Sequence, residues 1–200
     1  LILHAEHGLN ASTFTAIVVA STISTCYSSI SAAIGALYGS LHGGANEKVM
    51  NMVEEIGDPS QAKAYVDKVL DSRGKIMGMG HRVYRAKDPR AIIMEDYLLE
   101  LSKRKNNMRY YEILKEVEKA FRERMEEKGK PIYPNVDFFS GAIYNLLGIP
   151  TELFTPIFAM SRVSGWLAHI LEQREDNRLF RPRALYTGSE GRPFIPLEQR

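Results

Sequence analysis

This sequence predicts an all-α fold, on three observations. Apolar residues recur at helical spacing along most of the chain. The pair Asp-Pro, an N-cap followed by a first-turn proline, twice introduces such a run. No run alternates apolar and polar residues as a half-buried strand does.

Each element follows from its own signals. The stretch NASTFTAIVVASTISTCYSSISAAIGALYGS, 10–40, opens on a capping residue, Asn10 or Ser12, and contains a break. EKVMNMVEEIG ends at Gly57, a C-cap residue. DPSQAKAYVDKVLDSRG begins with Asp58 and Pro59, and Ala62, Val66 and Val69 share a face. DPRAIIMEDYLLELSKRK repeats the device with Asp88 and Pro89, and its stripe is Met94, Leu98 and Leu101. MRYYEILKEVEKAFRERMEEKG is the clearest amphipathic run, with Tyr110, Leu114, Val117, Phe121 and Met125 on one side and charge on the other. NVDFFSGAIYNLLG and TELFTPIFAMSRVSGWLAHILEQRE are two further helices, separated at Gly148 and Pro150. The end of the chain, RLFRPRALYTGSEGRPFIPLEQR, reads as loop.

Two hundred residues suit one large domain or two small ones. A net charge of +2 argues against broad nucleic-acid binding, and no basic, aromatic-rich stripe is present. The single cysteine, Cys26, excludes an internal disulfide framework. Together with the lack of any visible targeting peptide, it points to a reducing, cytoplasmic setting. Gly8 to Asn46 holds no Asp, Glu, Lys or Arg, yet Ser and Thr recur in it too often for a membrane span. It is expected to be buried on all sides and to lie between subunits. Composition shifts near Asn46 and near Ser140, so a charged middle segment is inserted between two parts of a more buried one. The expected division is 1–45, 46–140 and 141–200.

The chemistry-bearing residues lie mostly in polar or glycine-rich turns. His4 and His7 in HAEHGLN stand at i and i+3, a spacing that can share a metal, but no cysteine or carboxylate supports them and no metal is expected. His169, in GWLAHIL, reads as a packed helix residue. His42, in SLHGGAN, sits where two glycines let backbone approach a ligand, or else marks only a helix end. GMGHRVYRAKDPR, 78–90, crowds His81 with cations, which resist its protonation and suit a neutral donor aimed at an anion. Asp137, in YPNVDFFSG, falls in a helix's first turn, with Asn135 or Asp137 as a plain N-cap or Asp137 as an ionised base. Arg162 interrupts an apolar helix, and a buried arginine needs an anion. Neutral histidines, one poised carboxylate and scattered arginines, Arg85, Arg90, Arg162 and Arg181, suit a polycarboxylate substrate and proton abstraction next to a carbonyl.

The motifs HAEHGLNAST, LHGGANE, GMGHRVYRAKDPR, YPNVDFFSG and RPRALYTG, in this order, resemble the citrate synthase family over essentially the whole chain. They match its C-terminal half or so; the N-terminal large-domain helices of the family are absent here. The resemblance implies a large helical domain with a smaller inserted one, a homodimer, and condensation of acetyl-CoA with oxaloacetate in the tricarboxylic acid cycle, with no cofactor beyond the thioester substrate. It further implies that Asp137 is the base, that His42 donates to the enol(ate) oxygen, and that His81 polarises the ketone. His7, Arg90 and Arg162, with Arg181 from a neighbouring subunit, resemble the carboxylate ligands. Arg85 resembles a contact to a CoA phosphate. Lys75, Met77, Gly78, Met79 and Gly80 resemble the loop beside adenine. The motifs are shared with 2-methylcitrate synthase, which uses propionyl-CoA. A non-catalytic relative would have lost His42, His81 or Asp137, and all three are present.

Overall fold

Asn10 starts the first long helix of the computed structural model, which describes residues 1–39, 42–80, 86–126, 128–129 and 131–200. Its side chain accepts from the Thr13 amide at 3.0 Å, so Asn10 is the cap and Ser12 lies inside the helix. The helices are α1 (Ile2–Ala5), α2 (Ala11–Ser21), α3 (Cys26–Tyr38), α4 (Ala45–Ile56), α5 (Ala62–Asp71), α6 (Pro89–Arg104), α7 (Arg109–Glu126), α8 (Val136–Leu146) and α9 (Phe154–Glu175), with short 3-10 turns at Pro59–Gln61, Thr151–Leu153 and Leu197–Gln199. The break expected in 10–40 falls at residues 22–25, where Thr25 caps α3. Both Asp-Pro pairs act as predicted: Asp58 accepts from the Ser60 amide and Asp88 from the Arg90 amide, each at 2.9 Å. No strand forms among the described residues, and an isolated antiparallel bridge joins Met79 to Pro134.

Apolar side chains gather in two clusters among the described residues. The larger is built from α4 to α8, including Val49, Val66, Leu98, Leu114 and Phe138. The second joins α2, α3 and α9 through Ala16, Ala20, Ala33, Leu37, Trp166 and Ile170. Small residues let α2 and α3 approach closely, as the Ala- and Ser-rich sequence requires. Each fully buried aromatic, Trp166 or Phe138 for example, contributes about 1.5–3 kcal/mol, against ~0–1 kcal/mol for an exposed ion pair, so burial sets this architecture. α1 packs on α9 at Gly165, where a Cβ would stand 2.2 Å from the Ala5 carbonyl oxygen. No described helix is long and apolar enough to cross a membrane.

The uncharged segment is not covered on all sides within this chain. α3 buries Ser29, Ala33 and Leu37 but leaves Tyr27 and Tyr38 more than four-fifths exposed. The residues after Asp176 carry no α-helix, as expected, and are mostly exposed.

Candidate active site

Asp137 is held by its neighbours on both sides. Val136 and Phe138 are buried anchors of α8, and the Asn135 cap accepts the Asp137 amide at 2.9 Å. Asn135 also reaches backward. Its backbone amide donates to the Gly78 carbonyl and its side-chain amide to the Gly80 carbonyl, both at 2.9 Å. The Gly80 amide donates to the Tyr133 carbonyl at 2.8 Å. The segment Lys75–Gly80 is thereby laced to the start of the helix that carries Asp137. Gly78 is buried there with φ +75°, and a Cβ on it would fall 2.8 Å from the Phe138 Cα. Met77, Met79 and Gly80 are half-buried and Lys75 is exposed.

The Asp137 residue is only partly covered, but its Oδ1 is sealed from solvent and has no hydrogen-bond partner among the described residues. Burial pushes the carboxyl up to about 6, even though the charges of Arg90 and Arg162 pull it down. The N-terminal helix field acts in the same downward direction and is likewise outweighed. The result is a base with far more proton affinity than a surface aspartate has.

His42 follows α3 in a turn closed by its own amide donating to the Gly39 carbonyl at 2.9 Å. Its Nε2 lies 2.9 Å from the Ser12 hydroxyl and 3.3 Å from the Ser12 amide nitrogen. A backbone N–H only donates, so Nε2 accepts and the ring proton sits on Nδ1. Burial, reinforced by the charge of Arg162, lowers its pKa and keeps the ring neutral.

Arg162 is 3% exposed on α9. Its Nε donates to the His4 carbonyl at 2.5 Å, and its guanidinium stands 4.7 Å from the centre of the Phe158 ring. No carboxylate lies within ion-pair distance of it among the described residues. Burial, then repulsion from Arg90, lowers its pKa to about 10. Arg90 is also buried and is gripped by Asp88, Nε to Oδ1 at 3.1 Å and Nη2 to Oδ2 at 2.7 Å. Burial raises the Asp88 carboxyl, but hydrogen bonds from Arg90 and the charges of Arg90 and His7 together hold it below its ordinary value. His7 is half-buried on the segment after α1.

His7, His42, Arg90, Asp137 and Arg162 therefore form one electrostatic cluster: Asp88 joins His7, Arg90 and Asp137, and Arg162 joins Arg90, Asp137 and His42. Arg181 is exposed in the C-terminal tail, and no contact among the described residues brings it in. His81 and Arg85 lie outside the described residues. A cavity of about 810 Å³ lies between Leu3, Met94, Leu101 and Ile143. Its lining is mostly apolar, with Glu100 and Arg104 beside it, and holds none of the candidate groups. No group of three or more His, Cys, Asp or Glu suited to a metal forms among the described residues.

Two histidines differ from their sequence reading. His4 is not in a polar cluster; it is fully buried on α1, its Nδ1 3.2 Å from the Tyr144 hydroxyl and its ring 4.5 Å from that of Phe158. Burial first, then the nearby cations, lowers its pKa to about 3, so it is neutral. His169 is not enclosed in the core; its partly exposed ring meets Glu6 at 2.9 Å and Glu172 at 3.4 Å. Sequence reasoning also missed Ser12 as the partner of His42 and Asp88 as the partner of Arg90. The only signal for Asp88 was its N-cap position, two residues before the arginine it holds.

Residues 1–183 match the family model described as citrate synthase, C-terminal domain. This chain belongs to the citrate synthase family. A citrate synthase of Deinococcus radiodurans is 52% identical over 200 residues, covering 100% of this chain and 52% of that protein. 2-Methylcitrate synthase 2 of Corynebacterium glutamicum is 47% identical over 200 residues, covering 100% of this chain and 51% of that one. The citrate synthase of Thermoplasma acidophilum, solved in ternary complex with carboxymethyl coenzyme A and oxaloacetate, superposes with a TM-score of 0.90 at 41% identity, over 99% of this chain and 53% of that chain. The chain spans about half the length of the curated relatives it matches.

Proposed function

We propose that the protein to which this chain belongs condenses acetyl-CoA with oxaloacetate, releasing citrate and CoA. The observation that carries the reading is Asp137, a carboxylate raised by burial to about 6 in a cluster with two buried arginines and a neutral histidine. A thioester methyl proton is far too weakly acidic for a lone carboxylate. The base must act together with a donor to the oxygen that gains charge. In this mechanism Asp137 removes the proton and the Nδ1–H of His42 donates to the enol(ate) oxygen. The enol carbon attacks the oxaloacetate ketone, which His81 polarises and protonates. Arg90, Arg162 and His7 take the substrate carboxylates, charge-assisted contacts for which Arg162 has no carboxylate of its own among the described residues. Water then cleaves the citryl thioester, leaving citrate, CoA and a proton. Arg85 contacts a CoA phosphate and Lys75–Gly80 line the adenine. The reaction uses no metal or cofactor.

The closing test is Asp137→Asn in the full-length protein. Oxaloacetate binding should stay nearly intact while turnover falls by a factor on the order of a hundred or more. Near-normal turnover would remove Asp137 from the mechanism.

Arg181 reaches the site of a neighbouring copy in a homodimer, which suits its exposed tail position in one chain. Mixing Arg181→Ala subunits with His81→Ala subunits should recover activity in the heterodimers. Mixtures as inactive as the parents would mean that each site is built from one chain. The likeness to a 2-methylcitrate synthase at 47% identity supports a second reading, with propionyl-CoA as the thioester.

A further inference from the structure

Lys87 stands two residues before α6, and its ammonium is held from three sides. Glu95 of α6 and Glu118 of α7 both accept from it, Glu118 at 2.9 Å. The same two carboxylates also accept from Lys115, at 2.6 and 2.7 Å, which closes a ring of two cations and two anions. The Lys87, Glu95 and Glu118 side chains are each about a fifth exposed or less, and Lys115 is the open side of the ring. The Lys87 ammonium also lies 5.2 Å from the centre of the Phe139 ring, which is fully buried on α8 two residues after Asp137. Next in the chain is Asp88, which grips Arg90.

We propose that Lys87 is a positioning residue: clamped by Glu95, Glu118 and the Phe139 face, it fixes the Asp88–Arg90 pair relative to Asp137. This rests on the citrate synthase reading for its kinetic consequence, but not for its structural one. Three helices meet at one ammonium, and a compact three-donor cation can serve two carboxylates and a ring face together. An ion ring present only for stability could be emptied of charge in balanced pairs without touching the site.

The test uses the full-length protein carrying Lys87→Met with Glu118→Gln, which keeps the ring neutral, alongside Lys87→Arg. For the double variant, the KM for oxaloacetate should rise ~tenfold with kcat changed less than ~threefold, because a displaced arginine weakens substrate binding before it touches the proton transfer. Lys87→Arg should recover most of the loss. Independently of activity, hydrogen exchange at the amides of Arg90, Ala91 and Ile92, all bonded to Asp88, should quicken ~tenfold while amides of α5 stay unchanged. Unchanged exchange at those three amides overturns the proposal, as does an unchanged oxaloacetate KM in an active enzyme. If the unaltered protein makes no citrate, the functional reading fails and the exchange result alone decides the role of Lys87.

Discussion

A carboxylate titrating near 6 stops being a base below that pH. With Asp137 as the base, kcat/KM should therefore fall as pH drops through about 6. The same shift acts on stability. The ordinary value is 3.8 and the folded value is higher, so the fold favours the neutral form. The stability this group contributes is full below its ordinary value and is lost as pH rises through about 6. Asp137→Asn should accordingly raise Tm at pH 8, by on the order of 1–3 kcal/mol in unfolding free energy, and the gain should vanish toward pH 4. A thermal-denaturation series showing the same Tm difference at both ends would mean that burial does not destabilise the charged form. Much of this was legible in the sequence: a histidine before two glycines, an aspartate in a helix's first turn, an arginine inside an apolar run. The pairings were not. Ser12 and His42 are thirty residues apart and His4 and Tyr144 are 140 apart, and no periodicity links them.

Among the elements, the segment 75–80 and the start of α8 behave as one unit, because Asn135 caps the helix and binds two carbonyls of the segment. Gly78 makes that contact possible. Gly78→Ala would force a side chain into the left-handed region and against the backbone of Phe138. Destabilisation of about 1–3 kcal/mol is expected from the overpacking, with a larger KM for acetyl-CoA as the segment moves. Denaturant unfolding and steady-state kinetics check both, and a variant normal in both would show that the segment tolerates the shift. The helices were readable because their ends carry local chemistry: Asn10, Asp58 and Asp88 cap where their side chains reach a free amide, and Gly57 closes α4 with φ +71°. The apolar stripe of α7 is buried as read. What local signals could not give is which faces lack cover. α2 and α3 look alike in composition, yet α3 leaves Tyr27 and Tyr38 in the open.

At the scale of the whole molecule, the all-α class follows from periodicity alone, and the family from the order of five motifs. The packing of 10–38 against α9 is non-local: small residues of α2 and α3 meet Phe158, Trp166 and Ile170 well over a hundred positions away, and composition only hinted at it. The chain spans about half of its relatives' length, and the proposed reaction is therefore tested on the whole protein to which it belongs. The direct measurement is product analysis: incubate that protein with oxaloacetate and either acetyl-CoA or propionyl-CoA, and quantify CoA and the tricarboxylic acid formed. Citrate and CoA are expected in equal amounts from acetyl-CoA, at a higher kcat/KM than propionyl-CoA supports. A preference for propionyl-CoA would select the 2-methylcitrate reading. CoA released without any tricarboxylic acid would contradict the condensation itself.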